Sequence, residues 1–185
     1  MKNRSSMRKV NAIVSAALLI VFILHAVSGA LLLSGASAQP QVIFSRILTL
    51  LLLVHLVIGV VLTVDGFRAI RASGVHYREA TTRLLAVRLS GLAIAVFIGA
   101  HVASLWMPAG DVQRMSEFGL LQLVMNIAFV VAVAVHILCN IRPLLISLGI
   151  PLSSPRVLDI AIALSVVLCA GGIAFIIYFI RWQVM

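Results

Sequence analysis

A chain of 185 residues that is 63% apolar and only 10% charged excludes a soluble globular domain, and several of its apolar runs exceed the roughly 18 residues that mark a membrane span. The formal charge of +9 comes from Lys and Arg scattered over short loops beside hydrophobic runs, a distribution that orients a membrane protein and excludes a nucleic-acid surface. Cys139 and Cys169 lie in different runs and no Cys-x-x-Cys-His motif exists, so both read as small apolar residues and any haem is held non-covalently.

The basic segment Met1 to Lys9 carries Lys2, Arg4, Arg8 and Lys9, and a first helix is expected over 10–33. Ala36-Ser37-Ala38 beyond it imitates a signal-peptidase site. A secretory core spans only about 7 to 15 apolar residues, so a retained helix is expected. Gly35 to Gln41, with Pro40, forms a turn. Helix two is expected over 43–64, closed by Asp65-Gly66, and the loop to Arg83 is the most charged part of the chain, with Arg68, Arg71, Arg78, Glu79 and a solvated His76. Helix three covers 84–106 and is ended by Pro108-Ala109-Gly110-Asp111. Helix four covers 119–146, with Pro143 expected to kink or end its regular part. After a turn from Pro151 to Pro155, helix five covers 157–180.

The expected architecture is therefore all-α: one domain over 1–185, a five-helix bundle crossing the cytoplasmic (inner) membrane several times. Most Lys and Arg fall on the side of the amino terminus, against Arg46, Arg114 and Arg181 on the other. The positive-inside rule then places the amino terminus in the cytoplasm and the carboxyl terminus outside, with Trp106 and Trp182 at outer helix ends.

Each of the first four helices carries one histidine inside its apolar run: His25, His55, His101 and His136. An imidazole in hydrocarbon is costly unless something engages it. Measured from the cytoplasmic helix ends, His25 and His101 lie roughly 22 to 26 Å deep and His55 and His136 roughly 12 to 16 Å deep. Two opposed imidazoles at one depth are the requirement for bis-histidine haem ligation in a bundle core, and the chain meets it twice. Gly29 and Gly59 follow His25 and His55 by four positions, on the same helix faces, where a flat macrocycle needs a missing side chain; close helix packing is the plainer use of such glycines. Arg46, Arg88 and Arg142 are candidates to pair with a haem propionate or to snorkel. Asn126 and Gln122, one turn apart on helix four, are expected to join helices by hydrogen bonds, with a quinone carbonyl as a further candidate partner. Asp65, Glu79, Asp111, Glu117 and Asp159 all fall at helix ends or in loops, which argues against a buried carboxylate proton relay.

Five spans with single histidines on the first four and none on the fifth resemble the dihaem cytochrome b subunit of succinate:quinone and quinol:fumarate oxidoreductases. The resemblance covers nearly the whole chain and rests on histidine placement and topology. It implies that His25 and His101 hold one haem b and His55 and His136 the other. It further implies flavoprotein and iron-sulfur partner subunits on the cytoplasmic face, quinone or menaquinone as the membrane substrate, and a complex that can form a homodimer. The acidic residue that some menaquinol-oxidising relatives carry between the first two helices has no counterpart in Gly35 to Gln41. Competing readings are a stand-alone transmembrane b-type cytochrome of another redox system, such as the six-span ascorbate-reducible proteins, and a non-redox small transporter or assembly protein whose histidines merely join helices.

Overall fold

Long apolar runs without water to satisfy their backbone must pair every N–H and C=O internally, and the helix is the form that does so within one segment. The computed structural model describes residues 2–35, 39–74, 78–105, 107–109, 112–114, 118–150 and 153–184. Among them lie five helices: α1 (Lys2–Leu33), α2 (Gln39–Ser73), α3 (Arg78–Leu105), α4 (Leu120–Ser147) and α5 (Ser154–Val184). All five are long and apolar enough to cross a membrane, over Ser6–Leu33, Gln41–Ala72, Leu84–Leu105, Leu120–Ser147 and Pro155–Val184. The chain is a multi-pass membrane protein. Ala36-Ser37-Ala38, His76, Trp106, Asp111, Glu117 and Pro151 lie outside the described residues, as do the side chains of Lys2, Arg4, Arg78, Glu79, Arg83 and Arg114.

The helices extend beyond the expected apolar cores, and three expectations need correction. Asp65-Gly66 does not close α2, which runs on to Ser73. One interior glycine costs only about 1 kcal/mol, too little to stop a helix that continues into Phe67, Arg68, Ala69, Ile70 and Arg71. Pro143 does not end α4 either. That helix reaches Ser147 and stops at Gly149, whose φ of 76° is the left-handed cap conformation. The N–H of Gly149 donates to Ile146 O and that of Ile150 to Leu145 O, each at 3.0 Å, the pair of bonds that closes a Schellman cap. Finally, the segment after α3 is not irregular throughout: β1 (Met107–Ala109) pairs antiparallel with β2 (Val112–Arg114), so the all-helical bundle carries one two-stranded ladder.

Packing orders the helices as an arc. α2 packs on α1, α1 touches α4, and α4 packs on α3, while α5 backs the seam of α1 and α4. Among the described residues neither α1 and α3 nor α2 and α4 pack closely on one another. The concave side of the arc, between the α1/α2 and α3/α4 hairpins, is therefore left for side chains that reach across. We call the end carrying the α1/α2 and α3/α4 connections the upper end.

The upper end is tied by an apolar cluster of Leu33, Phe118, Ala174 and Phe175, flanked by Tyr178 and Trp182. Phe118 is fully buried, and its ring lies 6.3 Å from Phe175 and 5.1 Å from Tyr178. Arg181 on α5 caps α1 by donating from Nη1 to Leu33 O at 3.3 Å, a cation at the negative end of the helix dipole. Beside it Gly35 turns the chain at φ 99°, and a Cβ there would stand 3.2 Å from the guanidinium. Gly35→Ala is expected to lower stability by about 1–2 kcal/mol, the cost of a left-handed backbone with a side chain. Thermal unfolding in detergent measures it, and an unchanged midpoint would contradict this account of the turn.

Candidate functional site

The four intramembrane histidines project into the concave side and meet in two pairs. His25 of α1 faces His101 of α3 with ring centroids 6.2 Å apart and planes inclined at 69°. His55 of α2 faces His136 of α4 at 6.3 Å and 88°. Each pair joins one ring from each hairpin. Ser15, which bonds His55, precedes His25 by ten residues on α1, so the pairs are stacked about 15 Å apart along the helix.

All four rings use Nδ1 for hydrogen bonding. His101 Nδ1–H donates to Asn126 Oδ1 at 2.8 Å, while the Asn126 amide donates to Ser104 Oγ at 2.9 Å and Gln122 O at 2.8 Å. Only this orientation of the fully buried amide avoids setting oxygen against the Gln122 carbonyl. His136 Nδ1–H donates to Val87 O at 3.2 Å, with Ser90 Oγ at 3.3 Å. A carbonyl can only accept, so both rings carry their proton on Nδ1 and a lone pair on Nε2.

His25 Nδ1 lies 2.9 Å from the Gln41 amide, whose other end meets Ser28 Oγ. The Gln41 amide N–H donates to His25 Nδ1, and Ser28 Oγ–H donates to the amide oxygen of Gln41 at 2.5 Å, with His25 O a further 3.2 Å acceptor. His55 Nδ1 pairs with Ser15 Oγ at 3.2 Å. No hydrogen bond among the described residues involves any of the four Nε2 atoms.

This donor set tests what could be held. A metal ion bound by protein alone needs about four ligands, and among the described residues no third His, Cys, Asp or Glu joins either pair. A porphyrin brings four equatorial nitrogens and lacks two axial ones. With a metal–nitrogen bond of about 2.0–2.1 Å on each side, two imidazoles sharing one ion have centroids about 6.4 Å apart. The observed 6.2 and 6.3 Å match that span, and rotation about the shared axis leaves the interplanar angle free. Nδ1 engaged by an accepting oxygen with Nε2 left over, as in His101 and His136, is the hydrogen-bonding state of a metal-ligating histidine.

The remaining expected residues separate. Gly59 has nothing within 4 Å of a Cβ position, so the face below His55 is open. Beside Gly29 the space is taken by Gln41, whose amide lies 3.4–3.7 Å from that position. Arg46 and Arg142 are exposed. Arg88 is half-buried, and its Nε is buried with no hydrogen-bond partner among the described residues. Such a donor fits a carboxylate carried by whatever occupies the lower pair. Asn126 joins α4 to α3 as expected, whereas among the described residues Gln122 bonds only within its own helix, its Oε1 accepting from Gly119 N–H at 3.1 Å and capping α4.

Sequence reasoning missed Gln41, Ser15, Ser90 and Gly91. A Cβ at Gly91 would touch His136 Cε1 at 3.4 Å, so it is this glycine that makes room for a ring. His101 is also enclosed by Phe129, stacked at 5.0 Å, and by Phe175, edge-on at 6.0 Å. Comparison with family models, curated proteins and solved structures finds no match to this chain.

Proposed function

We propose that this chain is a dihaem cytochrome b of the cytoplasmic membrane that passes electrons between soluble redox subunits and membrane quinone. The observation that carries the reading is the two opposed imidazole pairs with centroids 6.2 and 6.3 Å apart, one ring of each pair, His101 and His136, holding its proton on Nδ1 and so leaving Nε2 for iron. His25 and His101 would hold the upper haem and His55 and His136 the lower one. A bis-histidine haem supplies a one-electron ferric/ferrous change whose potential follows from axial ligation, hydrogen bonding and burial. The chain's own residues would hold two such groups at different depths among apolar side chains, and Arg88, with its buried unpartnered Nε, would meet a propionate at the lower one. The likeness of histidine placement to succinate:quinone and quinol:fumarate oxidoreductases extends the proposal to partners. Flavoprotein and iron-sulfur subunits would dock on the basic, cytoplasmic amino-terminal face, and this chain would not itself touch the dicarboxylate.

The purified protein is expected to be red, to show sharp split bands on reduction, and to contain about two haems per chain by pyridine haemochrome assay. A colourless protein that takes up no added haem would leave the pairs as helix-joining contacts and refute the cytochrome reading. A second measurement addresses Arg88. In the haem-free protein Arg88→Leu removes an unsatisfied buried donor and is expected to raise stability by about 1–3 kcal/mol. The same change is expected to weaken haem at the lower centre. Unaltered haem affinity would show that Arg88 serves no carboxylate.

A further inference from the structure

The two upper imidazoles are held by one three-part arrangement that is built twice. In each hairpin the histidine on the first helix is followed three residues later by a serine: His25-Ala-Val-Ser28 on α1 and His101-Val-Ala-Ser104 on α3. In each, a carboxamide from the second helix, Gln41 of α2 or Asn126 of α4, stands between the imidazole Nδ1 and the serine hydroxyl. The serine also reaches a carbonyl of its own helix, Ser28 that of His25 at 3.2 Å and Ser104 that of Ala100 at 2.7 Å. Among the described residues no carboxamide meets the lower imidazoles: His55 takes Ser15, and His136 takes Val87 O with Ser90 beside it.

The two carboxamides differ chemically: Gln41 turns its N–H to His25 Nδ1, whereas Asn126 turns its oxygen, which only accepts, to His101 and so keeps the proton on Nδ1 and a lone pair on Nε2. Asn126 is in turn fixed by its own N–H bonds to Ser104 Oγ and Gln122 O, so the tautomer and tilt of His101 are set by the protein before any metal arrives.

We infer that Asn126 is a positioning residue that orients His101 and tunes the iron this ring would hold. The inference rests on the haem reading above and deepens it by assigning how the upper centre is set.

The test uses the full-length protein, titrated with haem and then potentiometrically, with His25→Ala identifying which redox wave belongs to the upper centre. Asn126→Leu removes the acceptor, and it is expected to lower haem affinity at that centre about 10- to 100-fold. It is also expected to raise that centre's midpoint, because a less electron-rich imidazole favours ferric iron less. Asn126→Asp keeps an acceptor and makes it anionic, so the midpoint moves the opposite way. Asn126→Asp is isosteric with the native side chain, so its downward shift is read on its own if Asn126→Leu fails to fold. Shifts of the same sign in the Leu and Asp variants, equal shifts at both centres, or no shift would each overturn the inference while leaving two haems in the wild type. A wild type without haem overturns the cytochrome reading itself and is thereby told apart.

Discussion

Replacing His55 with alanine is expected to strip one haem from the protein and leave the other spectrally intact. His136→Ala is expected to remove the same one, because the two rings stand 6.3 Å apart and under the proposed reading each would supply one of the two ligands to a single iron. His25→Ala and His101→Ala remove the second, for the equivalent reason at 6.2 Å. The double variant His55→Ala/His136→Ala then costs no more haem than either single change, whereas His55→Ala/His101→Ala leaves none. Pyridine haemochrome content per chain reads all of these. A His55→Ala protein that keeps both haems, or a His55→Ala/His101→Ala protein that keeps one, would dismantle the pairing.

Gly91→Leu is expected to have the next largest effect, although the residue ligates nothing. The His136 ring lies against it closely enough that a Cβ makes ordinary contact at 3.4 Å, so Gly91→Ala is expected to be tolerated. The further branches of leucine have no room unless the ring moves off the line shared with His55. Overpacking of this kind costs about 1–3 kcal/mol, and the movement costs the lower haem. Thermal unfolding and haem content together check it. If Gly91→Leu retained two haems and an unchanged melting temperature, the ring would not depend on that gap. Gly59→Leu makes a useful contrast, since nothing lies within 4 Å of its Cβ position. There the haem-free protein is expected to keep its stability.

Much of this organisation was legible in the residues, because a membrane leaves few choices. Apolar runs of the required length fold as helices, alternate in direction, and advance about 1.5 Å per residue, so the depth of each histidine follows by counting. That is why His25 could be matched with His101 and His55 with His136 before any contact was known. Rotation of one helix against its neighbour cannot be counted in the same way. The amide of Gln41 sits in what reads as a polar turn, and Ser15 and Ser90 are ordinary small residues of apolar runs until their facing helix is placed. One signal was available: the twofold occurrence of His-x-x-Ser, at His25 to Ser28 and His101 to Ser104, marks the hairpins as related units. Helix ends were the least legible, since Gly149 outweighed Pro143 and Gly66 was too weak a break to stop α2.

Because every pair takes one ring from each hairpin, neither half of the chain owns a complete site. A nascent polypeptide that has delivered only α1 and α2 to the bilayer offers two solitary imidazoles, and solitary imidazoles make poor anchors for a macrocycle. Under the proposed reading, cofactor capture waits until α4 has been threaded in, and the arrival of α5 against α1 and α4 then seals the back of the assembled molecule. Biogenesis would thus be self-proofreading: a prematurely released fragment stays unpigmented and is left for membrane proteases to clear.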